Sequence, residues 1–277
     1  MNVYDLIIIG AGPGGYAGAI RAAQLGLKVC IIERRDVGGT CLNRGCIPTK
    51  SFLYASELFS KAKNDFETFG ITVEKLSFDM AKMYSRKNQT VSRLRSGVEQ
   101  LLKANKVTRL EGTGTIEARG SVKFVSADGT EEILKAENIL IASGSKPSYT
   151  KFPGSDLPGG ITSDELLENS SSVKKKLLVL GGGVIAVEFA SVFANLGCEV
   201  TIAVRSRLMR TWDDEISKNL GVILKKRGIK VYGQSAIKEV VKTENGLVCR
   251  FTSADKEIEI ETDSILVANG REPETDG

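Results

Sequence analysis

The feature that most constrains this chain is a stretch that occurs twice. Leu6 to Gly15 reads LIIIGAGPGG and Leu177 to Ala186 reads LLVLGGGVIA, which places Gly10 and Gly181 171 positions apart. Each copy opens on a short apolar run of the kind that fills a buried parallel strand. A helical stretch follows, expected over Tyr16 to Leu25 and Val187 to Leu196. Each ends at a Leu-Gly stop, Leu25-Gly26 and Leu196-Gly197, as helices do where glycine takes the left-handed cap. Second strands are then expected over Val29 to Ile32 and Val200 to Ala203. The pattern is strand, glycine turn, helix and strand, twice.

The glycine spacing carries a chemistry. In such a turn the first glycine makes a tight bend, the second lets the backbone approach a pyrophosphate, and the third lets helix pack on strand. The helix N-terminus then offers unpaired N–H groups and a positive dipole end to the phosphates. The first copy supplies Gly10, Gly12 and Gly15, with Pro13 and Gly14 between. The second supplies Gly181 and Gly183, then Val184, Ile185 and Ala186, where alanine stands in the third place. Two dinucleotides are therefore expected on one chain.

The end of each second strand distinguishes the nucleotides. In the first copy it is Glu33, whose carboxylate suits a ribose hydroxyl pair. At the same offset the second copy has Val204, followed by Arg205, Arg207 and Arg210. Guanidinium groups bind a 2′-phosphate through charge-assisted, bidentate hydrogen bonds. The second site is therefore expected to take NAD(P), with NADP favoured over NAD.

Composition narrows the rest. With 38 basic and 34 acidic residues the charge is too balanced to point to nucleic acid or an anionic membrane. No apolar run reaches the ~18–20 residues of a membrane span. The first residues show no basic leader, so a cytoplasmic location is expected. There is no histidine, which removes imidazole catalysis and most zinc sites; no metal is expected. Five cysteines at irregular spacing do not form a secreted disulfide framework.

Only Cys41 and Cys46 are close together. Five residues apart in a regular helix they would be separated by ~7.5 Å along the axis, whereas a disulfide brings Cα atoms to ~5.5 Å. At least one is therefore expected in an irregular turn, which Gly38, Gly39 and Gly45 permit. A constrained cysteine pair at a helix start is a setting for thiol–disulfide exchange.

Gly38 to Lys50 reads GGTCLNRGCIPTK. Together with the two glycine turns, this segment resembles the pyridine nucleotide–disulfide oxidoreductases, the family that includes dihydrolipoyl dehydrogenase, glutathione reductase and mercuric reductase. Leu42-Asn43 and Ile47 to Lys50 look most like the dihydrolipoyl dehydrogenase branch. The resemblance covers essentially the whole chain and implies an α/β fold of two Rossmann-like, three-layer dinucleotide-binding domains. It implies an FAD domain over 1–147, an NAD(P) domain over 148–270, and the start of the returning FAD segment over 271–277.

Much of the site is implied by the same resemblance. FAD would lie on the first glycine turn with Glu33 and Arg34, and along Gly39, Thr40 and Lys50. Gly112-Thr113-Gly114 matches a backbone turn beside the adenine, and Ala142, Ser143 and Gly144 a segment that closes the domain. Cys46 would stand against the flavin ring and Cys41 would exchange with substrate. Lys50 and Glu188 would form an ion pair beside the flavin. Asn269 and Gly270 would complete the nucleotide side with Val204, Arg205 and Arg210.

The implied activity moves electrons between NAD(P)H, FAD and a dithiol such as the lipoamide of a carrier protein. The alternatives are an NADPH-dependent glutathione-, thioredoxin- or mercuric-type reductase, and a nucleotide-binding fragment with diaphorase activity alone. Val204-Arg205 departs from NAD-using dihydrolipoyl dehydrogenases, which carry an acid there. The family is homodimeric and continues with an interface domain bearing a His–Glu base, which this sequence lacks; a truncated chain is the expectation.

Between the repeats, residues 51–105 are expected to form two long antiparallel helices. Leu53, Leu58, Phe59, Met80, Met83, Val91, Leu94, Val98 and Leu101 supply their apolar stripe. Residues 107–140 are expected to be short strands turning at Arg119-Gly120 and Asp128-Gly129. Lys174 to Lys176 is expected to be a solvated linker, and Asn245-Gly246 a turn among the strands of 229–267.

Overall fold

The computed structural model describes residues 3–168, 175–244 and 246–276; Lys174 and Asn245 lie outside them. The chain divides into two compact units. One comprises Met1–Pro48, Asn88–Lys146 and Glu272–Gly277, the other Thr49–Lys87 and Pro147–Arg271.

In chain order the first repeat gives β1 (Val3–Ile9), α1 (Pro13–Gln24) and β2 (Val29–Glu33). Helices α2 (Gly39–Arg44), α3 (Cys46–Asn64) and α4 (Met80–Ala104) follow, then β3 (Thr108–Ala118), β4 (Ser121–Ser126) and β5 (Glu131–Ile141). Next come β6 (Ser145–Pro147), β7 (Gly160–Thr162) and α5 (Ser163–Glu168). The second repeat gives β8 (Lys176–Leu180), α6 (Val184–Asn195) and β9 (Glu199–Ala203). It continues through α7 (Asp214–Lys226), β10 (Lys230–Tyr232), β11 (Ser235–Thr243), β12 (Gly246–Ser253), β13 (Lys256–Thr262) and β14 (Ser264–Val267).

In the first unit β1 lies between β2 and β5, parallel to both, with Ile8 opposite Ile31 and Leu140. Strand β3 continues the parallel pairing as far as Glu111. At Gly112 it changes partner and runs antiparallel to β4, which pairs with β5, so the ladder closes into a barrel. Strands β3 and β5 are 11 residues long, not short as expected, because each serves a parallel and an antiparallel partner. The expected turns between β3, β4 and β5 are present. Alternation along the strands sends Ile8 and Ile31 to α1 and to Val91, Val98 and Leu102 of α4. Ile7, Cys30 and Ile32 go to the opposite side, against Val122, Phe124 and Leu134.

In the second unit five parallel strands lie in the order β10–β9–β8–β14–β7. The first strand of the repeat again has the second strand on one side and the returning strand on the other. Leu177, Val179, Val200 and Ile202 pack on Phe189, Ala190 and Phe193 of α6. Leu178, Leu180 and Ile265 pack under the antiparallel sheet β11–β12–β13, through Val240, Cys249 and Phe251.

Two expectations change. Helices α1 and α6 begin three residues earlier than expected, directly after Gly12 and Gly183, which are their N-caps. No side chain caps either helix, so neither start carried the usual Ser, Thr or Asp signal. The stripe on α4 is also displaced. Leu94 and Leu101, with Leu58 of α3, are largely exposed, while Phe52, Tyr84, Lys87 and Leu102 are buried with Val91 and Val98. Positions 84, 87, 91, 98 and 102 follow helical spacing, and a buried lysine in the row concealed it. Lys87 Nζ donates to Leu167 O at 2.7 Å, and the Tyr84 hydroxyl donates to Leu166 O, so the pair caps the end of α5.

Candidate redox and dinucleotide-binding sites

The first glycine loop is closed against the protein and open outward. Gly10 has φ +100, and a Cβ there would lie 2.3 Å from Ala142 O. A Cβ at Gly15 would lie 1.9 Å from Gly10 O, so the helix start sits directly on the turn. At Gly14 nothing lies within 4 Å, and at Gly12 only Gly39 Cα, at 3.8 Å. Glu33 ends β2 and fastens this loop: Ala11 N donates to its Oε2 at 2.7 Å and Arg35 N to its Oε1 at 2.8 Å. Ala142 N donates to Ile9 O at 2.8 Å, and Ser143 Oγ donates to Glu274 O at 2.7 Å. Arg34 is half exposed and pairs with Glu274 at 2.8 Å. That hydrogen bond, with Lys146 nearby, holds the Glu274 carboxyl below the usual range.

Gly112-Thr113-Gly114 is not a turn. It lies inside β3, where the strand passes from one partner to the next. A Cβ at Gly112, which has φ +155, would meet Val125 O at 2.2 Å, so glycine is required by the crossing of backbones.

The cysteine segment is tied to the same loop. Gly38 N donates to Ala11 O at 2.8 Å, and a Cβ at Gly39 (φ +61) would lie 2.5 Å from Gly12 Cα. Helix α2 therefore starts against the glycine turn and carries Thr40 and Cys41 in its first residues. Both cysteines are helical, contrary to the expectation of an irregular turn at one of them. The break falls between them, at Gly45, where a Cβ would lie 2.9 Å from Thr40 O and 3.2 Å from Cys41 Cα. Cys46 is the first residue of α3 and is exposed, while Cys41 is half-buried. Pro48 is tolerated because first-turn N–H groups have no helical acceptor.

Four residues to which the sequence pattern assigned no role fix α2. Asn43 Nδ2 donates to Val37 O at 3.0 Å and Gly39 O at 2.9 Å, and its Oδ1 accepts from Arg95 Nε at 3.0 Å. Asp36 pairs with Arg44 at 3.0 Å and with Arg95 at 2.9 Å. One turn beyond Cys46, Lys50 Nζ lies 2.6 Å from Glu188 Oε1 on α6; both belong to the second unit. Cys30 and Cys249 are core thiols, which burial pushes up to about 12. They belong to neither site.

The second glycine loop repeats the first. Gly181 has φ +129, with a Cβ position 2.2 Å from Ala268 O; Gly183 has nothing within 4 Å of its own; Ala186 is fully buried. The loop opens on a cleft of about 750 Å³ lined by Val184, Val204, Arg205, Arg210, Trp212, Asn269 and Gly270. Ile185 packs toward the core instead. Arg205 and Arg210 are exposed, whereas Arg207 is occupied. Its Nη2 donates to Arg210 O at 3.0 Å and Trp212 O at 3.1 Å and pairs with Asp214 at 2.6 Å. Asn269 Nδ2 donates to Thr150 Oγ1 at 3.1 Å. Another cleft, of about 680 Å³ near Lys61, Asn64, Lys226 and Arg227, contains none of the candidate cofactor-binding or catalytic residues.

Residues 4–277 match the family described as pyridine nucleotide-disulphide oxidoreductase. The chain belongs to that family. Among its relatives, the dihydrolipoyl dehydrogenase of Zymomonas mobilis is 39% identical over 256 residues, spanning 92% of this chain and 54% of that protein. The dihydrolipoamide dehydrogenase of Chaetomium thermophilum is 42% identical over 279 residues, spanning 99% and 55%. The HOCl-induced flavoprotein disulfide reductase RclA of Escherichia coli, solved as a Cu(II) complex, superposes with a TM-score of 0.83 at 28% identity, covering 99% of this chain and 58% of that one. The chain spans about half the length of the curated relatives it matches.

Membership implies FAD and a pyridine nucleotide. The two loops fit such ligands, since each has its first and third positions packed shut and its second facing open space. No helix among the described residues is long and apolar enough to cross a membrane.

Proposed function

We propose that this chain is the dinucleotide-handling part of a flavoprotein disulfide oxidoreductase of the dihydrolipoyl dehydrogenase type. Its FAD domain is 1–147 with the return at 271–277, and its NAD(P) domain is 148–270. The observation that carries this reading is the cysteine segment. Cys41 and Cys46 sit on consecutive helices parted at Gly45, and the first helix is fastened to a pyrophosphate loop through Gly39.

FAD, when bound, passes an electron pair between a nicotinamide and a disulfide. Gly12, Pro13 and Gly14 leave room for its pyrophosphate, and Glu33 has lone pairs left for a ribose. In the direction of dithiol oxidation, a substrate thiolate attacks Cys41 Sγ. The bond between Cys41 and Cys46 breaks, and Cys46 leaves as a thiolate. The second substrate thiol, after losing its proton, displaces Cys41, giving the substrate disulfide and a reduced cysteine pair. Lys50, held by Glu188, supplies a fixed positive charge one turn from Cys46.

The dithiol is a lipoyl group of a carrier protein, as the names of the relatives suggest. Arg205 and Arg210 in the second cleft, with Val204 in place of an acid, favour NADP over NAD. The same residues support a second reading, an NADPH-driven disulfide reductase, with RclA as the structural parallel.

Anaerobic dithionite titration tests the core of the proposal. The oxidised holoprotein is expected to accept two electron pairs, and Cys46→Ser only one. Equal uptake by both would remove the cysteine pair from the chemistry. Binding of NADPH at least tenfold tighter than NADH supports the arginine reading, and equal binding refutes it.

A further inference from the structure

We propose that Trp212 is the surface on which the adenine base of the pyridine nucleotide stacks. The proposal rests on reading the second cleft as the NAD(P) site. Trp212 is the single tryptophan of the chain, lies on the wall of that cleft and is 52% exposed. An indole left half in water gains by covering its face, and adenine is a flat ring able to do so.

The loop that presents it is rigidly built. Met209, at φ +46, holds a backbone conformation unusual for a side chain of its kind. Its N–H donates to Gly182 O at 2.7 Å, so the loop is tied to the glycine turn itself. Trp212 N donates to Met209 O at 2.8 Å, and Arg207 clamps the carbonyls of Arg210 and Trp212. Ser217 Oγ donates to Leu208 O at 2.6 Å. Asp213 caps α7 by accepting from Glu215 N at 2.8 Å and Ile216 N at 3.4 Å. The ring is thus offered without the ordering cost a mobile loop would carry.

Position divides the labour. Arg205 and Arg210 are exposed cations of the same cleft, as is Lys151, and the two guanidiniums answer a 2′-phosphate. Trp212 answers the base, which NADP and NAD share. Loss of the ring must therefore weaken both nucleotides equally, whereas loss of an arginine alters their ratio.

Because there is no other tryptophan, emission excited at the indole edge reports this residue alone. The experiment combines calorimetry and emission on the holoprotein, with 2′,5′-ADP, 5′-AMP and nicotinamide mononucleotide as probes. Both adenine probes are expected to quench emission, and nicotinamide mononucleotide to leave it unchanged. Trp212→Ala is expected to weaken both adenine probes by one common factor. That factor is about 5- to 150-fold, the range for one stacked base (about 1–3 kcal/mol at 1.4 kcal/mol per tenfold). Trp212→Phe should recover most of it.

Binding of 2′,5′-ADP without quenching overturns the stacking proposal and leaves the cleft in place. So does unchanged affinity in Trp212→Ala, or a loss confined to 2′,5′-ADP. Failure of the wild-type protein to bind any adenine probe overturns the cleft reading, and the stacking proposal with it.

Discussion

Gly181 and Gly183 stand two residues apart in one loop, and alanine should have opposite consequences at each. At Gly181 the backbone has φ +129, and a Cβ would be placed 2.2 Å from the carbonyl oxygen of Ala268. Forcing an L residue into that region costs about 1–2 kcal/mol, and the clash with a backbone atom adds about 1–3 kcal/mol. The sum lowers the melting temperature by roughly 5–15 °C for a unit of this size. At Gly183 φ is −83 and a Cβ would meet nothing within 4 Å. Alanine there should change stability by less than ~1 kcal/mol, because restriction of the unfolded chain offsets alanine's poorer fit to an N-cap. The methyl group would stand where a pyrophosphate must approach. A phosphate oxygen accepting from a backbone N–H sits about 2.9 Å from the nitrogen, too close to leave room for it. Loss of one charge-assisted hydrogen bond weakens NADPH by about 10- to 150-fold. Thermal melts followed by Trp212 emission report the second unit, and calorimetry reports affinity. A Gly183→Ala protein that binds NADPH normally, or a Gly181→Ala protein that melts with the wild type, would refute the division of roles.

Two further outcomes are expected. Burial raises the Cys30 and Cys249 thiols from 9.0 to about 12, so between those values the unfolded chain has released protons that the folded chain keeps. Stability is fully present below pH 9 and falls as pH rises toward 12, by about 1.4 kcal/mol per pH unit for each thiol. Denaturant titrations from pH 8 to 11 should show this slope, and the Cys30→Ala Cys249→Ala double variant should flatten it; equal slopes would remove the thiols as the cause. Val204→Glu should place a carboxylate against the 2′-phosphate. NADPH should weaken at least tenfold relative to NADH by like-charge repulsion, and an unchanged affinity ratio would show that position 204 does not face the ribose.

The glycine turns were legible because their constraint is local. Gly10 and Gly181 need positive φ, Gly15 needs close approach, and both requirements act within a few residues. The Lys50–Glu188 ion pair was legible through the spacing of a known family, and Glu33 through its place at the end of the second strand. The helix starts were not, because a backbone glycine cap leaves no side-chain signature. The length of β3 and β5 was hidden because it depends on partners from distant parts of the chain. The Asn43, Asp36, Arg44 and Arg95 clamp was hidden for the same reason: Arg95 is 52 residues from Asn43. On α4, Lys87 in a buried row defeats a rule that reads charge as solvent.

The comparison of the two loops explains a glycine that phosphate binding does not require. Ala11 and Gly182 occupy the same place in the repeat. In the first copy Ala11 N is taken by the Glu33 carboxylate, and the alanine methyl is accommodated. In the second, the acid is replaced by Val204, whose Cγ2 lies 2.5 Å from where a Cβ at position 182 would be. A branched side chain at the strand end therefore excludes any side chain from the loop, and Gly182 follows from Val204. The loop loses the carboxylate that fastened its N–H and is held instead through its carbonyl, by Met209 N at 2.7 Å. That bond requires Met209 at φ +46, a strain of about 1–2 kcal/mol that a hydrogen bond of about 1 kcal/mol offsets only in part. Arg207 adds two further hydrogen bonds to this turn, donating to the carbonyls of Arg210 and Trp212. Exchange of one acid for valine is thus coupled to a glycine in the preceding loop and an arginine in the following one. Of the three arginines after β9, the middle one is committed to holding the turn, which leaves Arg205 and Arg210 to meet a phosphate.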